Sequence, residues 1–174
     1  MTVETFVTGV ERFFKDHELI VSKTDLKGRM TYTNDVFSHI AGYNARELIG
    51  QPHSIIRHPQ MPRCVFALLW QTIQTGREVF AYVVNRCKNG DHYWVIAHVS
   101  ASRNHSGDII GYHSTRRVPE RSIVVEKIIP LYDQLLAEEN KHSNRKAGLQ
   151  AGMEYLNVFL REHQMEYDRF IATL

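Results

Sequence analysis

The segment from Val79 to Arg116 constrains this chain most. It holds three stretches rich in β-formers, over 79–86, 92–102 and 109–116, separated by Lys88-Asn89-Gly90-Asp91 and His105-Ser106-Gly107-Asp108. Glycine beside Asn or Asp supplies the backbone conformations of tight hairpins. Connections this short join only antiparallel neighbours, so the segment is predicted to be a three-stranded antiparallel meander. Two further strands are predicted upstream, over 19–25 and 30–34, joined by the turn Leu26-Lys27-Gly28-Arg29.

Helical signals surround these strands. Phe6, Val7, Val10, Phe13 and Phe14 fall at helical spacing and predict an amphipathic helix over 4–17. Asn34 or Asp35 is placed to cap a helix through Phe37, Ile40 and Ala41 that Gly42 stops. Ala45 to Gly50 reads as one more helical turn. Gln51 to Pro62 carries three prolines and is predicted irregular. A longer helix is predicted over 63–76, with Val65, Phe66, Leu68, Leu69, Trp70 and Ile73 as its apolar residues. From Pro119 the pattern is helical to the end, with a break near 141–146. One stripe runs through Ile128, Leu131 and Leu135, and another from Met153 to Ile171.

These elements predict an α+β fold: a five-stranded antiparallel sheet with helices on one face and a pocket between the two layers. The domain division is an N-terminal helix over 1–18, a sheet domain over 19–118 and a C-terminal helical hairpin over 119–174. The hairpin's stripes are too apolar to face water. They are expected to pack on the sheet domain, on a second copy or on a protein partner, with a homodimer the favoured arrangement.

Bulk properties exclude several classes. The chain has 174 residues, 43% of them hydrophobic and 23% charged, with a formal net charge of +2. No basic stripe points to nucleic acid, and no apolar run of about 20 residues points to membrane insertion. The first dozen residues lack the apolar core of a secretory signal. Cys64 and Cys87 read as reduced, partly buried thiols rather than a disulfide framework, which points to a cytoplasmic protein. No nucleophile elbow, phosphate loop or paired catalytic carboxylates occur, so no enzymatic activity is expected. Among ten histidines there is no His-Glu-x-x-His. Glu139 and His142 have an i, i+3 spacing without a second such pair, and are expected at a solvated helix end.

Specific segments carry a resemblance. Thr24-Asp25-Leu26, Thr33-Asn34-Asp35, Gly42-Tyr43 and Glu47-Leu48-Ile49-Gly50-Gln51-Pro52-His53 resemble the front half of a PAS domain. Arg57-His58-Pro59-Gln60-Met61-Pro62 and Asn85-Arg86-Cys87-Lys88-Asn89-Gly90-Asp91-His92-Tyr93-Trp94-Val95 are similar to the aerotaxis-receptor type of PAS sensor domain. The likeness covers residues 20–117. It departs from that type at Gln60, where an acidic residue is usual, and at Val79-Phe80, where a Trp is often found.

The resemblance implies a signal-transduction sensor that binds FAD non-covalently and relays redox or oxygen-linked state to a partner protein of a chemotaxis-like pathway. It implies that Asn34, His53, Arg57, His58, Trp70 and Asn85 lie in or beside the flavin pocket. The residue chemistry agrees. Phe66 and Trp70 offer flat apolar walls, the Asn85 amide both donates and accepts, and the Arg57 fork suits phosphate. The alternative is a PAS interaction or dimerisation module without cofactor, whose pocket is filled by its own side chains. A haem or small-metabolite sensor is a weaker option, because residues 63–76 offer no axial His.

Overall fold

Residues 6–174 are described by a computed structural model. Strands β1 (Ile20–Thr24), β2 (Met30–Thr33), β3 (Val79–Arg86), β4 (His92–Arg103) and β5 (Ile109–Arg117) form one antiparallel sheet in the order β2-β1-β5-β4-β3. The expected meander is β3-β4-β5. The β1–β2 hairpin joins it through β5, with Ile20 opposite Arg116 and Thr24 opposite Tyr112.

Helices α1 (Asp35–Ala41), α2 (Ala45–Leu48) and α3 (Arg63–Gln74) cover one face, with a 3₁₀ turn (His53–Ile56) between α2 and α3. The start of α1 follows from Asn34, whose side chain accepts the amide of Phe37, and Gly42 ends it at a φ of 73°. Asn44 and Glu47 form a capping box at α2. Strand alternation turns Val83 and Asn85 of β3, Ala97 and Val99 of β4, and Tyr112, Ser114 and Arg116 of β5 toward these helices.

The predicted N-terminal helix is not formed over the described residues 6–17; residues 1–5 lie outside the described chain. This segment is an extended strap along the β3–β4 hairpin. Thr8 N–H donates to the Gly90 carbonyl at 2.9 Å, His92 N–H to Val10 at 2.9 Å and Arg12 N–H to His92 at 2.7 Å. Gly9, at a φ of 76°, breaks any helix there, and Phe6, Val10 and Phe13 stay exposed. Backbone pairing with a neighbouring strand has overridden the apolar periodicity.

Beyond β5 the chain enters α4 (Arg121–Ile123), a π-helical segment (Val124–Ile128) and α5 (Ile129–Asn140) as one continuous rod. Pro130 explains the π segment, since it lacks the N–H the α-helical ladder needs and crowds the preceding turn. The rod widens so that Ile129 N–H reaches the Val124 carbonyl five residues back. After a break at 141–144 come α6 (Arg145–Glu162) and then α7 (Tyr167–Ala172). The stripe that read as one helix is cut at Gln164, which has a φ of 54°. The C-terminal segment is therefore more than a hairpin.

These helices fold back on the sheet domain, α6 against α3 and α7 against edge strand β3. Tyr132 Oη donates to the Tyr82 carbonyl on that edge at 2.5 Å, and its ring lies 6.0 Å from Trp94 on the sheet face opposite α3. Ile128, Leu131, Leu135, Leu156, Tyr167 and Phe170 are all buried within the single chain. A second copy is not needed to cover the stripes.

Glu139 corrects another expectation. It is not solvated but 1% exposed. Its carboxylate accepts the amides of Arg63 at 3.1 Å and Cys64 at 2.8 Å, and pairs with Arg63 Nε at 2.8 Å. Pro62, at the start of α3, offers no side-chain cap, so Glu139 supplies one from a distant helix. Two glycines of α6 make room for it: a Cβ on Gly152 would lie 2.8 Å from Glu139 Cγ, and one on Gly148 would meet the Glu139 carbonyl.

Candidate functional site

A cavity of about 60 Å³ lies between α3 and the inward face of β1, β3, β4 and β5. Its walls are apolar: Leu69 and Ile73 on the helix side, Val83, Ala97 and Val99 on the sheet side. Trp70 crosses from α3 to β5, where its ring packs edge-on against Tyr112 at 5.4 Å and 88°. The indole also touches the β1–β2 turn. Gly28 is required there twice over, since its φ is 75° and a Cβ would lie 2.7 Å from the indole. Phe66, one turn earlier, faces Trp70 at 6.4 Å, and the Arg57 guanidinium lies 5.2 Å from the Phe66 ring.

Set into this apolar wall are polar groups without protein partners. Asn85 is buried, and its Nδ2 makes no well-formed hydrogen bond, though the side chain of Tyr93, paired with it across β3–β4, lies close enough to interact; the Ser114 hydroxyl, the Thr24 hydroxyl and Arg116 Nη1 have no partner. Buried donors almost always find an acceptor, and leaving one unmade costs about 1–3 kcal/mol. Asn85 Nδ2 and Arg116 Nη1 are donors, and the Thr24 and Ser114 hydroxyls can donate or accept, so the cavity wall carries hydrogen-bonding capacity that the protein's own groups leave largely unused.

Arg116 is the dominant charge. It is 2% exposed, with Nη2 at 2.7 Å from Ser22 Oγ and 2.6 Å from His53 Nε2, and its guanidinium stands 5.1 Å from the Phe37 ring centroid. Burial lowers its pKa to about 10, which leaves it charged at neutral pH. None of the salt bridges among the described residues supplies it a carboxylate. Among the described residues, the side-chain acceptors of its hydrogen bonds are Ser22 and His53. Burial, then repulsion from Arg116, pushes His53 down to about 3. The imidazole is neutral, and its lone pair accepts from the guanidinium.

Five of the seven residues singled out from sequence meet here: His53, Arg57, Phe66, Trp70 and Asn85 line the cavity. Asn34 and His58 do not. The Asn34 side chain is fully engaged, accepting the amides of Val21 and Phe37 and donating to the Leu19 carbonyl. His58 is buried against His92, with ring centroids 5.3 Å apart. It accepts the Gln60 amide at Nδ1, and burial holds it down to about 4. His58 lines a separate cleft on the far side of Arg57.

Sequence reasoning missed Arg116, Ser114 and Thr24. The signal was present in β5: Tyr112, Ser114 and Arg116 share one parity of the strand, and inward parity for Tyr112 carries the other two with it.

The comparisons fit this architecture. A family model described as the PAS fold matches residues 30–116, half of the chain. The chain belongs to the PAS family. Its PAS domain is of the aerotaxis-receptor type: it is 41% identical over 139 residues to the aerotaxis receptor of Escherichia coli K12, covering 79% of this chain and 27% of that protein. The nitrogen fixation regulatory protein of Klebsiella pneumoniae is 25% identical over 122 residues, 70% of this chain and 24% of the relative. The chain thus spans about a quarter of the length of these curated relatives. The PAS domain also superposes on the dark structure of the blue-light photoreceptor Aureochrome1 LOV with a TM-score of 0.57 at 18% identity, over 66% of this chain and 86% of that one. A PAS domain from Colwellia psychrerythraea gives 0.54 at 17%, over 60% of this chain and 89% of that one. At these identities the structural matches speak for the fold alone. No helix of the described residues is long and apolar enough to cross a membrane.

Proposed function

We propose that this chain is a sensor of signal transduction that holds FAD non-covalently in its PAS cavity and passes the redox state to a partner protein through its C-terminal helices. The observation that carries the reading is the set of buried polar groups with unused hydrogen-bonding capacity, Thr24, Asn85, Ser114 and Arg116, in an otherwise apolar slot. They match the acceptor-rich edge of a flat flavin ring. Likeness to the aerotaxis receptor supports the same choice. Neither cysteine lines the cavity, and burial raises the pKa of both thiols, which supports a non-covalent mode.

When bound, the flavin supplies reversible electron uptake, which makes its edge more electron-rich. The chain's own residues do the rest. Arg116 and Asn85 would hold that edge, and would hold it more tightly as negative charge grew there, while neutral His53 accepts from Arg116 and fixes its position in the cavity wall. Arg116 lies five residues before α4. Asn85 bridges backbone to backbone with Arg57, in the loop that leads to the α3 start held by Glu139. Arg116 thus connects to the C-terminal helices along the chain, and Asn85 through the Arg57 bridge and the Glu139 contact. A redox signal needs contacts that differ in energy between the two states, and these two donors provide them. The output is taken to be a protein of a chemotaxis-like pathway in the cytoplasm, with a homodimer as one form of the assembly.

A second reading rests on the cavity's size. About 60 Å³ holds a few waters, so the cavity would have to widen to admit a flavin. A cofactor-free interaction module would keep it as it is. Hydrogen exchange over 119–174 in oxidised and reduced protein separates the two. Redox-dependent protection supports the sensor, and identical protection contradicts the relay.

A further inference from the structure

The strap over 6–17 is tied down in three ways. Its backbone pairs with the β3–β4 hairpin through Thr8, Val10 and Arg12. Its side chains hold the same domain: the Thr8 hydroxyl donates to Asp91 at 2.7 Å, and Arg12 Nη1 donates to the Ile40 carbonyl of α1 at 3.1 Å. The third tie leaves the sheet domain. Arg121, the first residue of α4, donates through Nη1 to Glu11 Oε1 at 2.6 Å, and its guanidinium stands 5.8 Å from the Phe13 ring centroid. Glu11 Oε2 lies 4.0 Å from His92 Nε2 on β4. One carboxylate thus joins the strap, the hairpin and the start of the C-terminal rod.

That start has few other restraints. α4 spans three residues, and Glu120 gives it no side-chain cap. The π-helical segment follows at once, a geometry that is rare and confined to short pieces. Among the described residues, no side-chain hydrogen bond ties the rod to the sheet domain between Arg121 and Tyr132. Burial of Val124 and Ile128 is the remaining hold. Segments with few tertiary contacts open before the rest of a fold.

We propose that the strap is a latch on the rod: through Glu11 and Arg121 it holds residues 121–128 against the hairpin, and its detachment frees them while α5 stays docked through Tyr132 and Glu139. The latch goes beyond the sensor reading and works with or without a cofactor. Linkage makes it reciprocal, so loosening either side loosens the other by the same factor.

Hydrogen exchange on the full chain, resolved by mass spectrometry, tests this with wild type, Glu11→Arg, Arg121→Glu and the double variant that swaps the two charges. Both side chains reach the surface, so the variants are expected to fold. Each single variant should speed exchange over 119–128 about two- to five-fold, the range carried by an ion pair near the surface. Arg121→Glu should also speed exchange over 6–14 by a similar factor, although it lies outside the strap. Exchange over α5 and α6 should stay at the wild-type rate, and the double variant should restore both segments. Glu11→Gln, which keeps the shape and loses the charge, should act in the same direction and serves if Glu11→Arg does not fold. Wild-type exchange in the single variants, an effect confined to the mutated segment, loosening spread evenly over the chain, or a double variant as loose as the singles would each overturn the latch.

Discussion

The carboxylate of Glu139 receives the amide of Cys64 at 2.8 Å, closing the start of α3 from a helix 75 residues further along the chain. This contact makes the C-terminal helices part of the PAS domain's own stability, because α3 forms one wall of the cavity. The C-terminal helices and the α3 wall of the cavity therefore share one ion pair.

Glu139→Ala should destabilise the protein by about 3 kcal/mol, since it orphans the α3 amides and leaves Arg63 without its partner. Glu139→Gln should recover part of the loss, because an amide oxygen still accepts. Urea unfolding followed by far-ultraviolet circular dichroism measures both. A loss below about 0.5 kcal/mol in the alanine variant would show that the capping contact is dispensable.

Gly152→Ala is a sharper test of the same packing. In an exposed helix interior this change gains about 1 kcal/mol. Here the new Cβ would lie 2.8 Å from Glu139 Cγ and 3.1 Å from Cys64 Sγ, and overpacking costs about 1–3 kcal/mol. The sum favours a net loss of about 1 kcal/mol. A gain in thermal midpoint would mean that α6 stands further from α3 than described.

Acid should weaken the fold through two histidines. Burial, with Arg116 beside His53 and His92 beside His58, lowers them to about 3 and about 4, against about 6.5 in an unfolded chain. The native state favours their neutral forms, so their contribution is fully present above pH 6.5 and is lost as pH falls toward 3. Urea midpoints measured at pH 7 and pH 5 should drop for wild type. They should drop less for His53→Gln, which cannot titrate there. A wild-type midpoint unchanged between these values would remove His53 and His58 as acid-sensitive groups.

Local chemistry made much of this molecule legible. The Asn-Gly-Asp and Ser-Gly-Asp turns fixed the β3-β4-β5 meander, and Asn34 with Gly42 fixed both ends of α1. What could not be read locally came from long-range contacts. The strap over 6–17 has helical periodicity, yet its amides pair with the β3–β4 hairpin. Glu139 looked like a solvated helix end because its partners, Arg63 and Cys64, are remote in sequence. Of the site, Trp70, Phe66 and Asn85 stood out by residue type. Arg116 needed one inward position on β5, such as Tyr112, to be known first; strand parity then turns it inward while Arg117 stays exposed.

The central claim is that the unpartnered donors around the cavity, Arg116 and Asn85 above all, exist to hold a flavin. The most direct measurement is the visible absorption spectrum of the purified protein, with chromatography of whatever heat or acid releases. The account predicts a yellow protein that releases FAD in close to equimolar amount, and a colourless or weakly coloured preparation when both Asn85 and Arg116 are replaced by alanine. A wild-type protein that is colourless and releases no flavin, even after incubation with FAD, would contradict it.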